Sequence, residues 1–285
     1  EPRTEAPEEP PTPSIEARKE EEKTKDTAGP EFEEMEEEVL DQATAAATVT
    51  ELKIEIATLG RLETLFQRRG RLPDAIKKGM EEQAKREHYG QVLPIEEIRE
   101  LVMKAATIVR MPCACRWTIS RTEARCCYGV SFSPDAWYKD LDMSYFGKAS
   151  DEGLETVARE DAIRQMELLE KKGAVHTIWT MLTPFIGAIC NCDRADCLAM
   201  LSYRYEFQLF FRAEYVAEVV ETSCIGCRAC LAKCQFGAIG FSVNRRRAFI
   251  DPVRCYGCGI CRTACEQQAI RLRPRDSHPV ARHLW

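Results

Sequence analysis

Fifteen cysteines stand among the 285 residues, and their spacing is what suggests chemistry. Eight fall into two matched runs, CIGCRACLAKCQFGAI (224–239) and CYGCGICRTACEQQAI (255–270). Each run reads C-x2-C-x2-C-x3-C and closes on the same Ala-Ile pair, so the second repeats the first at an offset of 31 residues. Three closely spaced thiolates on a curling loop can face one metal centre. Gly226, Gly257 and Gly259 let that loop turn tightly, and its amides can donate to sulfur. Zinc sites more often take C-x2-C pairs from separate loops, without a triplet. Gaps of two or three residues are too local for disulfides to staple distant parts of a fold. A reducing, cytoplasmic compartment with metal rather than disulfides is therefore expected.

Residues 219–273 resemble a bacterial-type 2[4Fe–4S] ferredoxin domain, a small pseudo-two-fold unit in which each half contributes a strand, a cysteine loop and a short helix. The resemblance implies two [4Fe–4S] clusters. The first would take Cys224, Cys227, Cys230 and Cys265, and the second Cys255, Cys258, Cys261 and Cys234, because the fourth cysteine of each run ligates the other run's cluster. The segment VNRRRAFI would join the halves as a hairpin. One departure stands out: the family usually has proline after each run's fourth cysteine, where this sequence has Gln235 and Glu266.

Seven cysteines remain: Cys113, Cys115, Cys126, Cys127, Cys190, Cys192 and Cys197. The order MPCACR, CCYG, EDAIRQMELLEKKGAVH, ICNC resembles the cysteine-rich module that precedes a dicluster ferredoxin domain in various proteins of anaerobes. That similarity extends over about residues 95–273. Such neighbouring thiols pack, react or bind metal. The reading carried forward is a third [4Fe–4S] cluster, built chiefly from Cys113, Cys115, Cys190 and Cys192. Cys126, Cys127 and Cys197 are substitutes for one of these. Structural zinc and redox-active thiols stand as alternatives.

The elements that must position these groups suggest an α+β chain. A mainly helical N-terminal and middle part with a cysteine-rich module is expected before the ferredoxin domain. Residues 1–40 carry 15 acidic and 5 basic side chains and too little apolar surface to fold alone, so they read as a solvated tail or a partner-wrapping arm. Residues 41–93 read as a helical segment, 94–218 as the helical cysteine-rich domain, and 274–285 as a C-terminal tail. Pro94–Arg110 shows apolar residues at helical spacing. Arg159–Gly173 reads as a helix with a glycine stop, and AVHTIW as a short strand, with His176 a satisfied core or edge residue. The longest apolar run, Thr177–Cys190, has 14 residues and holds Pro184, which suits a buried core segment rather than a membrane span. The chain starts at Glu1, which leaves room for a removed targeting peptide.

No nucleotide-binding glycine loop or serine-nucleophile motif is present. The ferredoxin resemblance therefore implies electron transfer, and the long N-terminal half favours a subunit docked to a catalytic oxidoreductase partner over a diffusible carrier or a chain with chemistry of its own. A stand-alone enzyme with a substrate site at the upstream cysteines is one alternative. An iron–sulfur sensor binding nucleic acid is another, disfavoured because cysteines interrupt the stretch where a DNA-reading helix would lie. Residues 219–285 carry 11 basic and 4 acidic side chains. Arg245, Arg246 and Arg247, at the expected hairpin tip, are candidate contacts for an acidic surface of a partner or of the Glu31–Glu38 segment.

Overall fold

In the computed structural model, residues 74–285 are described, apart from 123, 134–135, 137, 139–152, 183–184 and 196. They belong to one compact unit. The expected acidic arm and most of the segment 41–93 lie outside the described residues.

The middle of the chain is built on a sheet, which corrects the expectation of a mainly helical domain. After helix α1 (Asp74–Arg86) come β1 (Gly90–Val92), α2 (Ile95–Lys104), β2 (Thr107–Met111), α3 (Ala114–Ser120) and β3 (Cys127–Ser131). There follow β4 (Glu155–Thr156), α4 (Arg159–Lys172), β5 (Val175–Leu182), β6 (Phe185–Cys192) and α5 (Leu198–Arg204). The strands form an antiparallel sheet in the order β1-β5-β6-β3-β2-β4.

The expected helix from Pro94 to Arg110 is shorter than its pattern. It ends at Lys104, and Ile108 and Val109 belong to β2. A β-branched pair suits either element, and here the ladder with β3 decides. Helix α4 runs as expected. Gly173, at φ 104°, caps it, and its N–H bonds the carbonyl of Glu170. The apolar run from Thr177 is not one segment but strands β5 and β6 side by side.

Alternation along the strands gives the sheet two different faces. Ile108, Tyr128, Val130, Ile178 and Ile189 pack with Ile98, Val102, Ala162 and Met166 of helices α2 and α4. Residues one position along, among them Cys127, Cys190 and Cys192, belong to the opposite face. The fold thus buries aliphatic side chains under its helices and collects thiols on the other side.

The last part follows as β7 (Tyr215–Val219), α6 (Ala229–Lys233), β8 (Ile239–Ser242), β9 (Arg247–Ile250), a 3-10 turn (Ile260–Ala264) and β10 (Ile270–Pro274). Strand β7 pairs with β10 and β8 with β9, both antiparallel. The β8–β9 hairpin carries Asn244, Arg245 and Arg246 in its turn. The C-terminal segment folds back: Ala281 is buried, and the Trp285 ring lies 5.0 Å from that of Phe211.

Candidate metal centres

The two matched runs build two similar cavities. One is lined by Cys224, Cys227, Cys230 and Cys265. The other is lined by Cys234, Cys255, Cys258 and Cys261. Each cavity therefore gathers three cysteines from one run and the fourth from the other.

The repeat extends to the backbone around these cysteines. Gly226 and Gly257 sit at φ 74° and 70°. A Cβ on Gly226 would lie 2.2 Å from the carbonyl oxygen of Arg246, and one on Gly257 would lie 2.1 Å from that of Tyr215. Both positions require glycine on two counts, backbone conformation and space. The amide of Ala238 donates to Cys234 Sγ at 3.2 Å, and 31 positions later that of Ala269 donates to Cys265 Sγ at the same distance. The amide of Ala217 donates to Cys255 Sγ at 3.4 Å.

Burial pushes the Cys255 and Cys258 thiols up and holds Cys261 up at about 12. A bare thiolate is disfavoured there, and a bound cation reverses that preference. Four soft donors, amides aimed at sulfur and otherwise largely apolar walls fit a [4Fe–4S] group in each cavity.

The seven upstream cysteines meet in one place. Cys113 is the N-cap of α3, Cys115 lies in its first turn, and Cys197 is the N-cap of α5. Cys127 opens β3 and pairs across the ladder with Cys190 of β6, whose neighbour on the same face is Cys192. The Sγ atoms of Cys113, Cys126 and Cys127 all lie within 4.8 Å of one another. Thiol–thiol hydrogen bonds then run from Cys113 to Cys115, from Cys115 to Cys197 and from Cys197 to Cys192. They continue from Cys192 to Cys190 and from Cys190 to Cys127, closing a ring.

Hydrogen bonds from neighbouring thiols, Cys115 foremost, pull Cys113 and Cys197 well below the ordinary thiol range. Cys115 is driven well above it by its bonds to Cys113 and Cys197 and by burial. Seven converging sulfurs suit a thiophilic metal centre.

Several residues around this ring were not singled out by spacing. Arg116, buried beside the first cysteine pair, donates to Cys126 Sγ and forms an ion pair of 2.5 Å with Asp193. Its place directly after CAC was the available signal. Thr177 Oγ1 lies 3.5 Å from Cys192 Sγ. On the opposite face, Asn191 Nδ2 donates to the Cys126 carbonyl at 2.6 Å, so its Oδ1 accepts from His176 Nδ1 at 2.7 Å. His176 is buried as expected of a core residue, yet its Nε2 has no partner among the described residues.

An apolar wall joins the thiol ring to the second ferredoxin cavity. Cys192, Cys197, Met200, Phe236, Tyr256 and Ile260 belong to one buried cluster, with Cys190, Cys234 and Cys258 packed against it. Within it Phe236 and Tyr256 stack at 4.2 Å between centroids, and Arg212 lies 4.2 Å over the Tyr256 ring. The cysteine-rich module and the ferredoxin part also meet through Arg262, in the 3-10 turn after Cys261, which grips Glu96 of α2 with two hydrogen bonds of 2.9 and 2.8 Å.

Comparison with known proteins matches residues 223–269 to the 4Fe-4S dicluster domain. A stretch of 63 residues, 22% of the chain, is 35% identical to the archaeal-type glutamate synthase (NADPH) of Thermotoga maritima and covers 12% of that protein. A stretch of 58 residues, 20% of the chain, is 45% identical to a subunit of the ion-translocating oxidoreductase complex of Methanosarcina acetivorans and covers 21% of it. The chain thus matches a small part of each relative's length. Residues 223–269 are a 4Fe-4S dicluster domain.

Proposed function

We propose that this chain is an iron–sulfur electron-transfer subunit, relaying single electrons to or from a catalytic oxidoreductase partner. Cys224, Cys227, Cys230 and Cys265 would hold one [4Fe–4S] cluster, and Cys234, Cys255, Cys258 and Cys261 the other. The observation that carries the reading is the pair of matched cavities, each with four cysteines drawn from both runs. We further propose a third [4Fe–4S] cluster at the ring of seven thiols, with Cys113, Cys115, Cys190 and Cys192 at its centre and Cys126, Cys127 and Cys197 able to replace one of them.

When bound, such clusters store and release one electron at a time at potentials between roughly −700 and +450 mV. The chain's own residues set where in that range they work. The amides of Ala217, Ala238 and Ala269, donating to cysteine sulfur, stabilise the added negative charge of the reduced state. The Phe236–Tyr256 stack excludes water between the second cavity and the thiol ring. Keeping that gap short and dry is what an electron path through the chain requires. Relatives named as a glutamate synthase and a subunit of an oxidoreductase complex are in keeping with a partner that carries the organic chemistry. We assign docking to Arg245, Arg246 and Arg247, together with the acidic arm 1–40. Arg245 and Arg247 both also reach Glu221, at 3.2 and 3.3 Å.

The test is iron and acid-labile sulfide per chain in anaerobically purified protein, with reversible bleaching of the visible absorption by dithionite. About twelve irons support all three clusters, by the four-iron stoichiometry of each. About eight leave the electron-transfer reading and remove the third cluster. A chain that binds iron but does not cycle rules out the electron-transfer role.

A further inference from the structure

The two cysteine loops are close repeats in sequence and opposites in exposure. In the second loop, residues 255–260 are buried except for the half-buried Cys258. In the first, Ile225, Cys227, Arg228 and Ala229 are exposed. The residue pair that shows it best is Ile225 and Tyr256, at the same place in the repeat: Ile225 is 68% exposed and Tyr256 2%. The second loop lies under Tyr203 and Phe210 of the module and Phe236 of the first run, which surround Tyr256. No such cover lies over the first among the described residues.

The turn of the β8–β9 hairpin sits beside the open loop, since Gly226 approaches the Arg246 carbonyl closely. It adds Val243, 75% exposed, and the exposed Arg245 and Arg246. Arg228 stacks 4.0 Å over Phe241 on the same side. The surface around the first cavity therefore has two exposed aliphatic side chains rimmed by Arg228, Arg245, Arg246 and Arg247, against which Glu221 is the nearby acid. An apolar centre with a charged rim of one sign is the pattern of a docking face.

We infer that this face is the chain's electron port, and that its partner is an acidic one-electron redox protein seated over Ile225, Cys227 and Val243. The inference rests on the electron-transfer reading above, gives it an order, and moves Arg245, Arg246 and Arg247 from the catalytic partner to this redox protein. The partner gives up one electron and is oxidised. With clusters bound, the electron would enter at the site held by Cys224, Cys227, Cys230 and Cys265, pass to the one held by Cys234, Cys255, Cys258 and Cys261, and reach the thiol ring last. The same path serves the reverse flow.

The test uses the full chain with its clusters, purified anaerobically, and a small acidic ferredoxin as the probe. Isothermal titration of the oxidised probe reads binding without any turnover. The expected result is binding that weakens with added salt. It should weaken about tenfold or more in Arg245→Glu/Arg246→Glu, clearly in Ile225→Ser, and not at all in Lys104→Glu, a charge reversal at an exposed site outside the patch. Reduction by dithionite, which needs no docking, should proceed alike in all four proteins and shows that each is intact. Unchanged affinity in both patch variants, or no binding of the probe at low salt, overturns the port while leaving the electron-transfer reading in place. Clusters that dithionite cannot cycle overturn both.

Discussion

Two loops of one repeat, 224–229 and 255–260, share a spacing and a backbone path and differ in what lies over them. Each has a left-handed glycine between its first two cysteines, and each supplies two thiols to its cavity, the third following at Cys230 or Cys261. Among the described residues, only the second is roofed by aromatic side chains, Tyr203 and Phe210 of the preceding module and Phe236 of the first run. Ligand spacing therefore encodes the cavities, and the residues between the ligands encode their surroundings. Ile225 faces outward where Tyr256 faces a packed interior, so one half of the repeat is shaped to meet another protein and the other half to meet its own chain.

The largest expected effect breaks that contrast at its centre. Tyr256→Ala removes a fully buried ring that stacks on Phe236 and lies under Arg212. It should cost about 3–5 kcal/mol, the usual range for deleting a buried aromatic side chain. Ile225→Ala, at the matching position, should change stability by less than about 0.5 kcal/mol. Thermal unfolding of the two anaerobically prepared variants checks this, and equal losses would mean that the loops are equally covered.

The glycines sharpen the comparison next. An added Cβ meets a carbonyl oxygen at both sites, but the two oxygens belong to different supports. That of Tyr215 lies in β7, held in its ladder with β10. That of Arg246 lies in an exposed hairpin turn free to shift. Gly257→Ala should cost about 3 kcal/mol, by strain and collision together, and Gly226→Ala distinctly less. Melting temperatures of the pair, with iron content measured on each, would show whether the first loop yields as its setting implies.

The roof itself can be loosened by pH. Burial holds His176 down at about 4, with the Asn191 hydrogen bond acting the other way. The folded state thus binds this proton less readily than the unfolded chain, whose histidine titrates near 6.5. Stability from this group is present above that value and is lost as the pH falls from about 6.5 towards 4, amounting to about 2 kcal/mol by pH 5. The carbonyl of His176 accepts from Leu93, and β1 next to it binds the strand-like segment at Phe211, so the loss is transmitted towards the cover of the second loop. Comparing unfolding midpoints at about pH 7.5 and 5.5 in the native protein and in His176→Gln checks it: the native protein should show the steeper dependence.

Sequence reasoning reached the cysteine runs because metal ligation imposes a local, countable spacing. It also reached helix α4, whose apolar stripe and terminal glycine are local signals. It misjudged the middle of the chain because a sheet is a non-local structure. Ile108 and Val109 continue a helical pattern from α2, and only pairing with β3, some twenty positions on, turns them into a strand. Sequence reasoning brought Cys113, Cys115, Cys190 and Cys192 together, with Cys126, Cys127 and Cys197 as substitutes, and that all seven meet was missed for the same reason. C-x-C at 190–192 displays both sulfurs on one sheet face, and Cys127 reaches them across a ladder that spacing alone does not reveal. Arg116 and Asp193 were hidden for another reason, since a partly buried ion pair looks in sequence like two ordinary surface charges.

The smallest expected effect concerns the polar seam beside the second cavity. Burial alone would raise the Glu96 carboxyl, but the hydrogen bonds and charge of Arg262 outweigh it and leave the group below its ordinary value of 4.5. A depressed carboxyl contributes stability above that value and loses it as the pH falls through the lower, folded one. The Glu96 side chain is 52% exposed and that of Arg262 28%, so solvent screening limits the pair to less than about 1 kcal/mol. Glu96→Gln should therefore lower the melting temperature slightly at neutral pH and still less in high salt. The first run has no counterpart to this ion pair, because the residue 31 positions before Arg262 is the uncharged Leu231. Its polar contacts with the module come from Lys233 and Gln235, which donate to the carbonyls of Lys171 and Gly173. The Glu96–Arg262 pair thus belongs to the covered half of the repeat, and it adds to the aromatic roof without replacing it. Melting curves of Glu96→Gln and Tyr256→Ala side by side rank the two supports. A loss on Glu96→Gln as large as that on Tyr256→Ala would mean that the seam, rather than the roof, holds the second loop against the module.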